Sequence, residues 1–405
     1  MRVATPSSAR KVRQRAVAMN GAELVTYAMR QIDPDVVAAY PITPQTIITE
    51  RFSEYVADGV VHTEFVSVES EHAALSACIG AATAGGRAQT ASSGPGLALM
   101  WEVLWVASGS RLPIVLHLCT RALSSPINIL GDHSDLMGAR DTGWVILVAE
   151  SPQEAYDNAT QAVRIAEHPQ VLLPVMSAQD GFTLTHSVER CQILPDAAVR
   201  GFLGEYCPAH SILDTDHPTT FGPLDAEDAY FEHKRQQVEA MEQASDVIAQ
   251  TGREYGELSG RPYGLVEPYR MEDAEYALVA MGAVCGTLRS VVDNLRQEGV
   301  RAGMLKIRSF RPFPSSLIAE VLGSMRAIGV VDRAISFGAA GNPLYLDVVA
   351  ALAQRGPTPP VVDYVAGLGG RDIRPGDLRQ AFQELREVAA GRDRGPSTRY
   401  LGLHE

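Results

Sequence analysis

Three carboxylates, Glu64, Glu69 and Glu71, crowd the point where the strand-like "EFVSVES" gives way to "EHAALSACIGAATAG". A carboxylate that starts a helix is a favourable charge against the helix dipole. It is also the group that, buried against a ligand nitrogen, shares a proton and does acid–base work. Further on, "SSGPGLAL" (92–99) is a glycine-rich strand-to-helix turn. Its N–H groups either receive an anion or only turn the chain. It is neither G-x-G-x-x-G nor a Walker loop, since no lysine follows. Arg121 comes just after the apolar run "PIVLHLC" (113–119), which places it at the C-terminal edge of a sheet. A guanidinium there suits fork-like recognition of a carboxylate. Asp132, His133 and Asp135 come next, but ligands so close in sequence reach one ion poorly from a loop. No second cluster accompanies them, so no metal site is predicted; a hydrogen-bonded loop that orders Arg121 is the better reading. Lastly, "YPITP" (40–44) ends the apolar run 36–39. Proline fixes its own φ and pushes the preceding residue toward extended geometry. Pro41 and Pro44 thus predict a stiff turn with Thr43 at its tip, where open α/β sheets place ligands.

These residues lie on an alternating pattern. Strands are predicted at 36–39, 61–68, 88–91, 113–119, 144–149 and 170–176, and helices at 46–57, 71–85, 95–108 and 153–167. Such β–α alternation implies a mostly parallel sheet covered on both faces. The helix at 71–85 is built almost wholly from small residues, which allows tight packing in its own sheet or close approach of a subunit or cofactor. Residues 186–262 break the rhythm with scattered Pro and Gly and a polar helix at 229–252; they read as an excursion and connector. A second α/β unit follows, with strands at 276–282, 300–307, 327–332 and 361–367 and helices at 284–298, 314–323, 343–354 and from Pro375. "FGAAGNP" (337–343) and "GLGGRD" (367–372) are glycine-rich turns within it. The predicted organisation is a basic arm (1–19), a first α/β domain (20–185), the connector (186–262) and a second α/β domain (263–405).

The bulk properties narrow the function class. The 405 residues carry a formal net charge of −13, which argues against nucleic acid or an acidic membrane surface as partner. No apolar run reaches transmembrane length and no apolar secretory segment opens the chain. Arg2, Arg10, Lys11, Arg13 and Arg15 read as an ordinary basic arm, and a cytoplasmic location is expected. The five cysteines (78, 119, 191, 207 and 285) include no C-x-x-C pair. Neither a disulfide framework nor a locally held iron–sulfur cluster is expected, so any electron carriers sit in other chains.

Taken in order, "AAYPITPQT", "VESEHAALSACIGAATAGGRAQTASSGPGLALM", "TRALSSPINILGDHSDLMGARDTGW", "VLLPVMSAQDGFTLTH", "DHPTTFGPLD", "LKIRSFRPFP" and "GLGGRDI" resemble the alpha subunits of pyruvate:ferredoxin oxidoreductase and its 2-oxoacid relatives. The resemblance runs from about residue 20 to 390. It implies a thiamine-diphosphate-binding domain of the pyrimidine type, a parallel-sheet α/β domain, followed by a transketolase C-terminal-like α/β domain. The implied activity is oxidative decarboxylation of pyruvate or a related 2-oxoacid to acyl-CoA and CO2. A beta subunit would hold the diphosphate, Mg²⁺ and an iron–sulfur cluster. Gamma- and delta-type subunits would carry further clusters toward ferredoxin or an NAD-linked acceptor. Position by position, Glu71 matches the glutamate facing the pyrimidine nitrogen. Thr43 matches the threonine of the substrate pocket, and Arg121 the arginine that meets the substrate. Pro41, Ile42, Ser93 and Gly94 are implied to lie against the cofactor. The Gly-Pro of "SSGPGLALM" resembles 2-oxoglutarate-type members, whereas "RALSSPINILGDHSD" is of the pyruvate type. Two other readings stand beside this one: the same chemistry on an aromatic 2-oxoacid such as phenylglyoxylate with NAD as final acceptor, and a non-catalytic assembly subunit.

Overall fold

A computed structural model describes residues 12–393 and 395–404. Arg2, Arg10 and Lys11 of the expected basic arm lie outside them. Arg15–Met19, inside that arm, is a strand (β1). After it come α1 (Gly21–Ile32), β2 (Val36–Ala39), α2 (Thr46–Ala57), β3 (Glu64–Ser67), α3 (Glu71–Thr83) and β4 (Ala88–Ser92). Next are α4 (Pro95–Leu99), α5 (Trp101–Gly109), β5 (Val115–Thr120), α6 (Ser134–Ala139), β6 (Val145–Val148), α7 (Pro152–Ala166) and β7 (Val175–Asp180). The connector holds β8 (Glu189–Ile193), α8 (Asp196–Leu203) and the 30-residue α9 (Tyr230–Ser259). The second unit runs β9 (Val266–Tyr269), β10 (Tyr276–Ala280), α10 (Val284–Gln297), β11 (Ala302–Ile307), β12 (Ser309–Arg311), α11 (Ser315–Leu322) and β13 (Ala327–Asp332). It ends with α12 (Pro343–Ala353), β14 (Val361–Val365), α13 (Pro375–Ala389) and β15 (Thr398–Tyr400).

Helix starts follow local chemistry. Asn20 and Glu23 form a capping box on α1, and Ser70 caps α3. Ser151 caps α7, with Pro152 at its first position. The first sheet has the strand order β12-β6-β7-β5-β4-β2-β3, parallel throughout except for β12. Its inner strands, such as β5 (VLHLCT) and β6 (VILV), are buried along their whole length. Edge strand β3 (EFVS) leaves Glu64 and Ser67 exposed. The second sheet has the order β15-β14-β13-β10-β11-β9, parallel except for β9. Strands β1 and β8 pair antiparallel, from Arg15 opposite Ile193 to Met19 opposite Glu189.

Three expectations are corrected. The run "QVLLPVM" was expected to be the strand itself, but β7 starts only at Val175. Pro174 cannot donate to a ladder and Leu172 has φ of +43°. The strand then continues through Ser177, Gln179 and Asp180, all buried. Second, the expected helix 95–108 is two helices, α4 and α5, meeting at Met100. Third, the second unit has more strands than expected. One of them, β12, leaves its own unit and hydrogen-bonds to β6 of the first sheet. One apolar core is continuous from Leu116 and Ile146 of the first sheet to Val279, Leu305 and Val330 of the second. Beside it, buried Lys306 of β11 donates to Glu154 of α7 (2.8 Å) and contacts Glu150 (3.1 Å). Buried Arg308 donates to Asn158. The two units are therefore joined by core, ladder and buried ion pairs.

Candidate cofactor and substrate site

Strands β7, β5, β4, β2 and β3 are consecutive in the first sheet and run parallel. Their C-terminal ends therefore share one edge. Asp180 ends β7, Arg121 follows β5, "SSGPG" follows β4, "YPITP" follows β2, and the segment after β3 leads to Glu71. Of the three carboxylates noted in the sequence, Glu64 and Glu69 are exposed, whereas Glu71, the first residue of α3, is 6% exposed.

The turn after β4 organises the site. Gly94 has φ of +48°, a conformation that favours glycine. A Cβ at Gly94 would lie 3.0–3.2 Å from the Cδ, Cγ and Cβ of Arg121, so the arginine stem lies on this glycine. A Cβ at Gly96 would stand 2.5 Å from Glu71 Oε1 and 2.7 Å from Ser92 Oγ. Glu71 and Arg121 thus flank a single turn, each packed where a side chain is missing. Ser92 and Ser93 are fully buried, and their hydroxyls have no hydrogen-bond partner among the described residues. The Gly94 N–H, one of the donors considered for an anion, is already taken by a buried carboxylate, Asp135 Oδ2, at 2.8 Å.

Arg121 is held at several points. Its Nη1 donates to the Thr43 carbonyl (3.0 Å) and its Nε to the Asn128 carbonyl (3.1 Å). Its backbone N–H donates to Asp135 Oδ2 (2.9 Å). Nη2 makes no hydrogen bond among the described residues. Thr43 therefore meets Arg121 through its carbonyl, while its side chain is exposed at the tip of the turn. Pro41 is exposed and Ile42 half-buried; Ile42 closes the turn by accepting from the Gln45 N–H (2.7 Å). These two residues stand at the rim.

The segment after Arg121 is the ordering loop expected of it. Asp132 accepts from Ser134 and from the Gly369 N–H (3.0 Å), in the "GLGGRD" turn of the second unit. Asn128 Nδ2 donates to the Gly369 carbonyl (3.1 Å). Asp135 Oδ1 accepts from the Leu136 N–H (2.7 Å). Burial outweighs the downward pull of its three N–H partners, and the Asp135 carboxyl is pushed up to about 8. His133 Nε2 lies 2.6 Å from Asp180 Oδ1. Asp132, His133 and Asp135 thus face three different partners. Among the described residues, no three His, Cys, Asp or Glu side chains gather as a metal-ligand set.

Asp180 was not singled out from the sequence. It is fully buried and also accepts from Arg333 Nη1 (2.6 Å) and the Ala283 N–H (2.6 Å), both in the second unit. Burial alone would raise its pKa, but Arg333 and His133 outweigh burial and hold the carboxyl below its usual range. Arg333 Nη2 also donates to the Gly131 carbonyl (2.9 Å), and the His133 N–H to the Arg333 carbonyl (2.8 Å). The available signal was the polar "SAQD" tail of an apolar run, which a period reading discards.

The chain matches known protein families over most of its length. The family described as "Pyruvate flavodoxin/ferredoxin oxidoreductase, thiamine diP-bdg" matches residues 27–253. "Pyruvate:ferredoxin oxidoreductase core domain II" matches residues 274–378. The pyruvate synthase subunit PorA of Thermotoga maritima is 54% identical, over 96% of this chain and 98% of that one. PorA of Methanocaldococcus jannaschii is 45% identical over the same shares. The ketoisovalerate oxidoreductase subunit VorA of Pyrococcus horikoshii is 39% identical, over 91% of this chain and 93% of that one. Among solved structures, a 2-oxoglutarate:ferredoxin oxidoreductase from Magnetococcus marinus shares the fold. Its TM-score is 0.71 and its identity 19%, covering 95% of this chain and 67% of that chain. A split-gene transketolase shares it at a TM-score of 0.54 and 12% identity, covering 91% and 98%.

Family match and fold together give a thiamine diphosphate-binding α/β domain with a transketolase-like second unit. The chain belongs to the pyruvate flavodoxin/ferredoxin oxidoreductase family, as a subunit of a 2-oxoacid oxidoreductase.

Proposed function

We propose that this chain grips the aminopyrimidine side of thiamine diphosphate and the carboxylate of the oxoacid in a CoA-acylating 2-oxoacid oxidoreductase, and that the oxoacid is pyruvate. The observation that carries this is the convergence of Glu71 and Arg121 on Gly96 and Gly94 of one turn. Relatives at 54% and 45% identity named pyruvate synthase support pyruvate. The 39% identical ketoisovalerate relative makes a branched oxoacid the second reading. A non-catalytic assembly role gives no reason for an acid and an arginine to meet at one buried turn.

The residues present fit the cofactor's ring. A buried acid and two unpaired buried hydroxyls stand around a backbone position that lacks a side chain. Thiamine diphosphate, when bound, supplies the electron sink for loss of CO2. Glu71 takes and returns a proton at its Oε1, the oxygen facing Gly96. Ser92, Ser93 and Gly94 wall that side, with Pro41 and Ile42 at the rim. Arg121, steadied at Nε and Nη1, offers Nη2 to the substrate carboxylate; such a charge-assisted hydrogen bond contributes about 1.5–3 kcal/mol. The Thr43 hydroxyl donates to the substrate. Holding both reactants in place lowers the entropic part of the barrier.

Partner chains complete the enzyme: a beta subunit with the diphosphate, Mg²⁺ and an iron–sulfur cluster, and gamma- and delta-type subunits leading to ferredoxin. The thiols here fit packing rather than cluster ligation. Burial pushes Cys78 up to about 12 and also raises Cys119 and Cys285. All five cysteines are free, which suits a reducing cytoplasm. Among the described residues, no helix is long and apolar enough to cross a membrane.

The test is CoA-dependent dye reduction by the chain purified with its partners, over pyruvate, ketoisovalerate, 2-oxoglutarate and phenylglyoxylate. Pyruvate is expected to have the highest kcat/KM. Glu71→Gln keeps the shape but removes the proton acceptor, and is expected to lose at least about 10²-fold in kcat. Near-normal turnover of that variant ends the assignment of Glu71. A complex without 2-oxoacid-dependent reduction ends the function.

A further inference from the structure

Asp135 takes no part in the chemistry above, yet it touches both arms of the site. It is 3% exposed. One of its oxygens, Oδ2, accepts from the Gly94 N–H (2.8 Å) and from the Arg121 N–H (2.9 Å). These two residues begin the loops that leave neighbouring strands β4 and β5. Gly94 is two residues before Gly96, the position on which Glu71 Oε1 closes, and the stem of Arg121 lies on Gly94 itself. One buried oxygen therefore ties the loop on the acid's side to the loop on the guanidinium's side, in addition to the stem packing on Gly94.

We propose that Asp135 is a positioning residue that sets the spacing of Glu71 against Arg121, so that the oxoacid is held in register with the cofactor. This rests on the assignment of Arg121 to the substrate carboxylate. The side-chain oxygen of asparagine can take the place of Oδ2 and accept from both Gly94 and Arg121, giving up only the Leu136 N–H that Oδ1 accepts; alanine accepts from none of the three. The essential property is thus an acceptor at that point rather than a charge.

The experiment compares Asp135→Ala, Asp135→Asn and Arg121→Gln in the assembled complex. It reads KM and kcat for pyruvate and, by calorimetry, the affinity for oxamate, a pyruvate analogue that cannot lose CO2. Asp135→Ala is expected to lose on the order of 10²-fold in kcat/KM, with a raised KM and oxamate affinity weakened in step. Asp135→Asn is expected to regain most of both. An alanine variant with wild-type KM and oxamate affinity overturns the proposal, as does an asparagine variant as impaired as alanine. Arg121→Gln separates the two levels. If it leaves KM unchanged, the substrate assignment fails and this inference with it. If it raises KM while Asp135→Ala does not, this inference alone fails. Hydrogen exchange in the unaltered complex keeps the question open to test should the alanine variant not assemble. Oxamate is expected to slow exchange in the peptides holding Gly94 and Arg121 together, and slowing at Arg121 alone overturns the coupling.

Discussion

Gly96 lies inside α4, where alanine would ordinarily be worth about 0.5–1 kcal/mol of added stability. Here the new Cβ would stand 2.5–2.8 Å from Glu71 Oε1, Ser92 Oγ and Glu71 Cγ, so buried side chains must shift to admit it. Gly96→Ala is therefore expected to lower the thermal midpoint rather than raise it, and to lose at least about 10²-fold in turnover, because the carboxyl is displaced. Calorimetry and dye reduction on the same preparation check this; a stable and fully active variant would place the working oxygen of Glu71 elsewhere. At this scale the sequence was readable where an unusual residue type stood at an element boundary. Arg121, read as standing at a sheet's edge, does follow β5 directly. The sequence was mute where the same type stood three times, because only the fold buries Glu71 and leaves Glu64 and Glu69 in solvent. Ser92 and Ser93 carry no signal of their own, since a serine at a turn is ordinary until burial removes its water.

Among the elements, β7 shows how an apolar run misleads. "QVLLPVM" has the composition of a strand, but Pro174 and the left-handed Leu172 keep its first half out of the ladder. The true strand ends in buried polar residues because its C-terminal end carries the anchor for the second unit. Asp180→Asn leaves Arg333 without its charge partner. Breaking a buried pair in this way costs about 3–5 kcal/mol. The sign with pH follows from the direction of the shift. The folded carboxyl titrates below its unfolded value of about 3.9, so the stabilisation is present above that value and is lost as pH falls through the folded pKa. Denaturant unfolding should show a gap between wild type and Asp180→Asn at neutral pH that narrows in strong acid, where Asp180 itself takes up a proton. A gap that does not narrow in strong acid would contradict an ionised Asp180. The helices with capping residues, α1, α3 and α7, were legible locally. Short strands β9, β12 and β15 were not, because their partners are distant in sequence and three or four residues carry no period.

In the whole molecule, the site occupies one edge of the first sheet and is braced from the second unit through Arg333 and Gly369. The second unit thus holds the loop that holds Arg121. Helices α4 and α5, which follow the turn, expose Leu99 (53%), Trp101 (47%), Trp105 (38%) and Val106 (43%). We propose this face as the seat of a partner subunit, since large exposed apolar groups mark interaction surfaces. Trp101→Ser with Trp105→Ser is expected to abolish co-purification with the beta subunit while the free chain keeps its thermal midpoint. An intact complex of normal stoichiometry would move the partner to another face.

Strand β6 is an inner strand only because β12 returns from beyond the connector to pair with it. Without that return, four consecutive apolar residues, Val145 to Val148, would present an open ladder edge, the kind that recruits a stranger's backbone. The N-terminal half is therefore not a portable module. A fragment cut at the connector would carry the acid and the arginine, yet end in a raw seam, and its first act would be to zip onto a copy of itself.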